Sequence, residues 1–331
     1  MVKILVQITS AGVDPWRDIE ESGQMKTFAT PGASNFLEYL WVEGNAVTAR
    51  TLPTLIFNFI YKLYHESLWW PLVRINTRKI PGVGRLYWLV NSLFRPSNRW
   101  VPPKIHLLDI TGRRRESLSR VRRNFFINRL ALRLLTWRRG AGIWIGKRRY
   151  RLEFPNSYFL TPIRVMVTLD FLLKEFDFDY LVRTTSTSYI NKDALIQLLR
   201  ESPRSRFYGG EFMEFAGYRF ASGAFSILSR DVVAKLVSLS RFLRLDIYDD
   251  VAIGKLITDN DLADLHPAIS VDVRSSKDWE SSIPHEWSAA PAFRCKTERV
   301  TSESKSVITV MEQIHSQLTK SDPQFSPSFD S

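Results

Sequence analysis

The segment 178–191 constrains the fold more than any other part of this sequence. It opens with a short apolar run, Tyr180–Arg183, of the kind typical of a buried β-strand. Small hydroxyl residues follow at Thr184–Ser188, and a helical pattern begins at Lys192. A strand that leads through a polar turn into a helix is a building unit of α/β folds. The alternative is an ordinary strand-to-helix turn in which Ser188 caps the helix.

The rest of the chain alternates strands and helices in the same way. Apolar runs bounded by turn residues predict strands at Lys3–Thr9, Phe36–Val42, Ala268–Val273 and Ala292–Lys296. Helical patterns predict helices at Arg17–Phe28, Ile163–Phe176, Val251–Ile257 and Ser304–Leu318. Thr161 is placed to cap the helix over 163–176, with Pro162 in its first turn. We predict one α/β domain over residues 1–319 and a disordered tail at 320–331.

Two further segments downstream make the pattern more specific. They are Phe220-Ala221-Ser222-Gly223-Ala224 and Tyr248-Asp249-Asp250-Val251-Ala252-Ile253-Gly254. Together with segment 178–191, they resemble the β-1,3-glycosyltransferases of the Fringe and β-1,3-galactosyltransferase type. Those enzymes carry, in this order, a strand ending in Asp-x-Asp, an Ala-Ser-Gly-Ala-like segment and Glu-Asp-Val. The resemblance covers residues 150–260 well and 1–45 loosely, and does not cover 51–140.

The resemblance implies a fold and an activity. The fold would be GT-A-like, with a mixed, mostly parallel central sheet flanked by helices. The activity would be inverting transfer of a sugar from a nucleotide-sugar donor, usually UDP-linked, to a hydroxyl of a glycan or lipid-linked acceptor. Asp250 matches the Asp of Glu-Asp-Val, which is associated with the catalytic base, and an inverting transfer needs such a carboxylate. The alternative is that Asp249 and Asp250 only stabilise a helix N-terminus.

Donor and acceptor contacts are expected from several segments. Ligands of open α/β sheets bind at the carboxyl ends of strands. The expected donor-binding residues are Thr9, Ser10, Lys26, Arg164, Arg183, Thr185, Ser186 and Thr187. Lys26 is included because Lys26-Thr27-Phe28 is a loose version of the family's Arg-x-Thr-Trp. Ser222, Gly223 and Asp249 are expected to contact the sugar or the acceptor.

The metal step of the resembled family is altered here. Thr185, Ser186 and Thr187 stand where the Asp-x-Asp carboxylates are expected, and neutral hydroxyls are poor ligands for Mg²⁺ or Mn²⁺. No metal-ligating residue is therefore assigned and no cofactor is certain, although Mn²⁺ or Mg²⁺ stays an alternative. Arg294, Lys296 and Arg164 are candidates to neutralise the donor diphosphate, or else are solvated side chains. His285 and Glu286 are weak metal-ligand candidates.

Positive charge is concentrated in one region. Residues 101–150 hold 14 lysines and arginines against Asp109 and Glu116, which accounts for the whole net charge of +12. This region ends a helical, aromatic and basic insertion at 51–140, whose predicted helix at 116–138 has an apolar stripe surrounded by arginines. The insertion could bind an anionic membrane surface, expose its basic face to water, or bind nucleic acid, which we do not expect.

The cysteine content and the first residues indicate the cellular compartment. A single cysteine, Cys295, cannot form an internal disulfide, and the first residues predict a strand rather than a signal peptide. We expect a cytoplasmic protein, peripheral on the inner face of a membrane. A non-catalytic glycan- or nucleotide-binding homologue is the main alternative to the transferase, and a basic nucleic-acid-binding protein is the third.

Overall fold

A computed structural model describes ten stretches of the chain. They are residues 2–10, 16–26, 37–45, 142–155, 161–215, 218–244, 247–268, 270–273, 285–295 and 304–320. The predicted insertion at 51–140, the basic helix at 116–138 and Lys296 lie outside the described residues. So do the side chains of His285 and Glu286 and all but the first residue of the predicted tail.

Eleven strands occur in these stretches. They are β1 (Ile4–Ser10), β2 (Leu37–Asn45), β3 (Gly142–Gly146), β4 (Arg149–Pro155), β5 (Tyr180–Thr185), β6 (Ser188–Ile190), β7 (Phe207–Phe215), β8 (Tyr218–Ser229), β9 (Asp264–Pro267), β10 (Ser270–Asp272) and β11 (Ala292–Arg294). The central strands β1 and β5 are buried along almost their whole length, which explains their continuous apolar sequence.

Helices separate many of these strands in the described stretches. They are α1 (Trp16–Asp18), continued by a π-helix (Ile19–Gln24), α2 (Thr161–Glu175), α3 (Lys192–Glu201), α4 (Arg230–Ser238) followed by a 3-10 turn (Ser240–Phe242), α5 (Asp249–Asp259), α6 (His285–Ser288) and α7 (Ser304–Lys320). Pro162 lies in the first turn of α2, where its missing N–H costs no hydrogen bond.

Eight strands form one large mixed sheet in the order β3-β4-β2-β1-β5-β8-β7-β9. The β1–β2, β1–β5, β2–β4 and β7–β9 pairs are parallel, and the β3–β4, β5–β8 and β7–β8 pairs are antiparallel. The prediction of an α/β protein with a large mixed sheet flanked by helices is confirmed. A second, three-stranded sheet has the order β10-β11-β6. Strands β10 and β11 lie within the predicted strands at 268–273 and 292–296, whereas β6 was not predicted, because a strand of three residues gives little periodic signal.

Apolar side chains cover both faces of the large sheet. Leu5 and Leu181 pack with α2, α4 and α5 on one face, for example against Leu169. Val6 and Val182 point to the opposite face and pack with α3. Alternate residues of a strand point to opposite faces, so polar residues further along β1 and β5 divide between the two faces in the same way. A third cluster joins the π-helix, α7 and the small sheet.

The start of α3 differs from the alternative that sequence suggested. Ser188 lies in β6, and its hydroxyl donates to the Ala224 carbonyl at 3.0 Å, so it does not cap the helix. The N-cap is Asn191, whose side chain accepts from the Ala194 N–H at 3.4 Å. Two residues at the turn, Ser186 and Thr187, fold the chain back into β6 before the helix begins.

Candidate functional site

The carboxyl-terminal ends of β1 and β5 bring the predicted motifs together. Thr9 and Thr185 are register partners in the parallel pair. Strand β8 runs antiparallel on the other side of β5, with Phe225 opposite Thr184. The preceding residues of β8, Ser222 to Ala224, therefore lie beside the end of β5. Segments that are about 170 residues apart in sequence meet here because parallel neighbours end at the same edge of a sheet.

Helix α5 brings Asp250 to this edge. Asp250 Oδ2 accepts a hydrogen bond from the Gly223 N–H at 3.2 Å, and Oδ1 accepts from the Val251 N–H at 2.8 Å. One turn later, Gly254 lets the helix approach β8 closely, since a Cβ there would lie 2.6 Å from the Arg219 carbonyl oxygen. The carboxylate is partly buried, so it keeps access to a ligand at the edge.

Two arginines and a second carboxylate surround Asp250. Arg183 Nη2 donates to Asp249 Oδ2 at 3.1 Å. The Arg183 side chain is almost fully buried, and its Nε has no hydrogen-bond partner among the described residues. Arg164 of α2 is also buried, and burial lowers its pKa while Asp249 opposes that shift. We call Arg164, Arg183, Asp249 and Asp250 the Asp250 cluster.

The electrostatic environment of Asp250 suits a proton acceptor. Burial is the main cause that raises the pKa of its carboxyl above 3.8, and the negative charge of Asp249 adds to the shift. The N–H groups of Gly223 and Val251 and the charge of Arg183 act in the opposite direction. A carboxylate with a raised pKa is a stronger base than an ordinary one, because its pKa lies closer to neutral pH.

The predicted hydroxyl run forms a compact turn. The Thr185 hydroxyl lies 3.2 Å from both the Thr187 and the Ser188 hydroxyls. The Thr184 hydroxyl donates to the Ala224 carbonyl at 2.8 Å. Ser186 and Thr187 are each 5% exposed, whereas Thr185 is half-buried. Thr185 is therefore the most accessible hydroxyl of the three predicted donor contacts, and all three stay predictions as ligand contacts.

Of the other predicted residues, Thr9 and Ser222 lie at the site, and Lys26 and Arg294 form ion pairs outside it. Thr9 accepts from Gln7 Nε2 at 3.0 Å, and the Ser222 hydroxyl accepts from the Ala224 N–H at 3.3 Å, both near the ends of β1 and β5. Lys26 is exposed and lies 3.4 Å from Glu312 of α7. Arg294 is the register partner of Ser188, and its guanidinium lies 3.9 Å from Asp272.

A second polar cluster at the same edge escaped the sequence analysis. Ser10 donates to Glu20 Oε2 at 3.1 Å, and Arg149 Nη1 donates to the same oxygen at 2.7 Å. Arg149 Nη1 also lies 3.6 Å from Glu43 Oε2, while Arg151 Nε binds Glu43 Oε1 at 2.6 Å. We call Ser10, Glu20, Glu43 and Arg149 the Glu20 cluster.

The Glu20 cluster is closed to solvent. Glu20 is 0% and Glu43 is 1% exposed, and Glu20 Oε1 has no hydrogen-bond partner among the described residues. Burial raises the pKa of Glu20, although Arg149 and the Ser10 hydroxyl oppose the shift. Of its four residues, the sequence singled out only Ser10, and only as a donor contact at the end of β1. Glu20 and Arg149 are more than 100 residues apart, and no local pattern links them.

Gln24 is another residue without a sequence signal. From the last turn of the π-helix, its side-chain amide donates to the Thr185 carbonyl at 2.9 Å and to the Ser188 carbonyl at 2.8 Å. Its Oε1 accepts from Trp41 Nε1 at 3.1 Å. A glutamine in a short helix is unremarkable in sequence, so only the tertiary contacts identify it.

The described stretches contain neither a metal-ligand group nor a membrane-spanning helix. Within the stretches described, no three His, Cys, Asp or Glu side chains are grouped so that they could hold a metal ion. Across the same stretches, no helix is both long enough and apolar enough to cross a bilayer.

Comparison with known proteins gives no match, so the geometry of the site is the basis for assigning a function. The sequence matches no protein-family model. A search of curated proteins finds no relative.

Proposed function

We propose that this protein is a glycosyltransferase that moves a sugar from a nucleotide-sugar donor to an acceptor hydroxyl. One observation carries the proposal. The carboxylate of Asp250, whose pKa is raised, is fixed by the Gly223 and Val251 N–H groups at the carboxyl-terminal edge of an α/β sheet. That edge is where open α/β sheets bind their ligands.

The chemistry assigned to Asp250 is that of a general base. The acceptor hydroxyl oxygen attacks the anomeric carbon of the donor, and its proton passes to Asp250. The bond between that carbon and the diphosphate oxygen breaks, and the nucleoside diphosphate leaves with the electron pair. The attack from the opposite side inverts the anomeric centre, as in the family that the sequence resembles.

Donor binding is assigned to the ends of β1 and β5. Thr9 and the accessible Thr185 hydroxyl are assigned to the nucleotide, and Arg183 with Arg164 supplies positive charge beside it. Ser10 is 1% exposed and donates to Glu20, so it supports the end of β1 rather than contacting the donor. Arg294, opposite Ser188, is a candidate to bind the leaving diphosphate. Lys26 stays in the proposal as a donor contact, and Lys296 stays, with Arg294, as a candidate to neutralise the diphosphate. In this assignment arginines take over the charge neutralisation that a divalent cation would supply.

The proposal is tested with the full-length chain and a panel of UDP-, GDP- and dTDP-sugars. We expect at least one donor to raise the melting temperature and to release its nucleoside diphosphate faster when an acceptor sugar is added. We expect EDTA to change this rate only weakly. If EDTA abolishes the reaction and Mn²⁺ restores it, the metal-independent step is wrong, and Asp249, Asp250 and His285 become the first ligands to test.

A non-catalytic binding protein is the second candidate. The Thr-Ser-Thr turn offers no carboxylate, and Ser186 and Thr187 are buried, which is the observation that favours this candidate. It predicts that a nucleotide sugar or glycan raises the melting temperature while no donor releases its nucleoside diphosphate. The panel experiment therefore separates the two candidates.

A lipid-linked acceptor would place the enzyme on an anionic cytoplasmic membrane surface through residues 54–139, which lie outside the described residues. Each Lys or Arg near such a surface contributes about 1 kcal/mol. Vesicle co-sedimentation should then require anionic lipid, weaken with salt, and decrease when Arg120, Arg123, Arg129 and Arg133 are changed to Gln. Equal recovery in the supernatant under all conditions would leave a soluble glycan as the acceptor.

A further inference from the structure

The Gln24 side chain connects three strands, β2, β5 and β6, beside the proposed donor site. Its amide nitrogen donates to a carbonyl at the end of β5 and to one at the start of β6, so it binds both sides of the hydroxyl turn. Its oxygen accepts from Trp41, a fully buried side chain in β2. These three hydrogen bonds of one side chain therefore fix the turn relative to the parallel part of the sheet.

The rest of the turn is held from the other side. The Cys295 N–H donates to the Thr187 carbonyl at 2.7 Å, which attaches the tip of the turn to the end of β11. Between these two attachments lies the Thr185 hydroxyl, 3.2 Å from the hydroxyls of both Thr187 and Ser188. Since the backbone on both sides of this group is anchored, the direction of the Thr185 hydroxyl depends on the anchors.

The π-helix explains how Gln24 reaches the turn. Its wider turn places Glu20 and Gln24 on the buried side, toward the sheet. Helix α7 packs on this segment, with Val310 and Met311 in the same apolar cluster as Ile19. Short π-helical segments are uncommon and occur frequently at functional sites. Here the segment aims an amide at two backbone carbonyls of the hydroxyl turn.

We infer that Gln24 is a positioning residue for the donor site: its amide holds the turn 185–188 in the geometry that binds the nucleotide sugar. The inference rests on the proposed function. Gln24 itself does not touch the reacting atoms, and it acts through the backbone of Thr185 and Ser188. Misplacing a binding group by about 1 Å can cost on the order of 100-fold in rate.

The test compares three variants of the full-length chain. Gln24→Met keeps the length of the side chain and removes both donors and the acceptor. Gln24→Glu keeps the shape and the acceptor but removes both N–H donors. Val310→Ala is the matched control, because it weakens packing of α7 on the same π-helix and leaves the Gln24 amide intact. Thermal unfolding of each variant establishes the loss of overall stability.

Two readouts go beyond stability. Hydrogen exchange of the peptide covering 185–190 should speed up about tenfold in Gln24→Met and not in Val310→Ala. The donor KM should rise about tenfold or more in Gln24→Met, with a smaller change in kcat. In Gln24→Glu the KM should recover toward the wild-type value as pH falls, because a protonated carboxyl can donate to one of the two carbonyls. Gln24→Met should show no such recovery.

Each result decides a different point. Wild-type exchange at 185–190 in Gln24→Met would show that the amide does not hold the turn. Faster exchange with an unchanged donor KM would show that the turn does not position the donor. A Val310→Ala variant with the same rise in KM would reduce the effect to stability. A wild-type chain that binds no nucleotide sugar overturns the proposed function and, with it, this role for Gln24.

Discussion

Two acid–base clusters lie at the same edge of the large sheet and on opposite faces of it. The Asp250 cluster shares the face of Leu181 and is packed by α2 and α5. The Glu20 cluster shares the face of Val6 and Trp41 and is covered by the π-helix. In both clusters, burial is the main cause that raises the pKa of the central carboxyl.

They differ in solvent access and in what holds the carboxylate. Asp250 is partly exposed and is held by backbone N–H groups, which stay in place when the carboxyl gains or loses a proton. Glu20 is fully buried and is held by Arg149, which also pairs with the buried Glu43. The first arrangement suits proton transfer, and the second suits a structural tie between the π-helix, β2 and β4.

The largest expected effect is a loss of transfer activity on substitution in the Asp250 cluster. Asp250→Asn keeps the shape of the side chain and removes the base, so transfer should fall about 10²- to 10⁴-fold. Donor binding and the melting temperature should change little. Initial rates with a saturating donor provide the measurement, and Asp259→Asn, on the exposed side of the same helix, is the control. Wild-type turnover in Asp250→Asn would eliminate Asp250 as the base.

The second prediction concerns stability. Arg149→Met leaves two buried carboxylates without their shared partner, and breaking a buried ion pair in this way costs about 3 to 5 kcal/mol. Urea unfolding monitored by fluorescence should show this loss. Lys174→Met removes an exposed pair with Asp170 and should cost less than about 1 kcal/mol. Similar losses in the two variants would mean that the Glu20 cluster is not a structural tie.

A third prediction uses the proximity of the two aspartates. The negative charge of Asp249 helps to raise the pKa of Asp250. Asp249→Asn removes that charge and frees Arg183 to stabilise ionised Asp250, so both changes lower the pKa. The acidic limb of the pH profile of kcat/KM should therefore move to lower pH. An unmoved limb would show that another group titrates, and Asp259→Asn should leave the limb in place.

The smallest expected effect is a pH dependence of stability at Glu20. Its raised pKa means that the folded protein keeps the proton above pH 4.5, where an unfolded chain loses it. The stability that the protonated Glu20 contributes is fully present below pH 4.5, the pKa of the unfolded chain. This stability is lost as pH rises through the higher pKa of the folded protein. Glu20→Gln cannot titrate, so its stability relative to wild type should improve as pH rises across this window. Urea midpoints measure it, and the exposed Glu312→Gln serves as the control. A constant difference between Glu20→Gln and wild type would contradict the prediction.

Local patterns predicted the elements that carry most of the apolar core. The strand at 180–185 and the helix at 161–175 were recognised because their apolar residues repeat with a clear period. The predicted helix at 304–318 also occurs, as α7. The alternative in which Ser188 caps α3 is excluded, because the two-residue turn at 186–187 leads into β6 and leaves Asn191 as the cap.

The candidate site was predicted only where a motif was continuous. Asp249 and Asp250 follow one another in sequence, so the start of α5 brings both to the same place. Arg164 was predicted from its position near a helix start. Its proximity to Arg183 and Asp249, however, depends on how α2 packs against the sheet. Glu20, Arg149 and Gln24 were missed for the same reason.

The sequence by itself determined the order of the elements, because periodicity and turn residues act over a few positions. Tertiary structure decided which charges are buried and which keep access to solvent, because burial depends on elements that are distant in sequence. Two carboxylates, both with a raised pKa, thus differ in their access to solvent. Asp250 stands at an open sheet edge beside backbone donors, and Glu20 is enclosed with an arginine that lies 129 residues away.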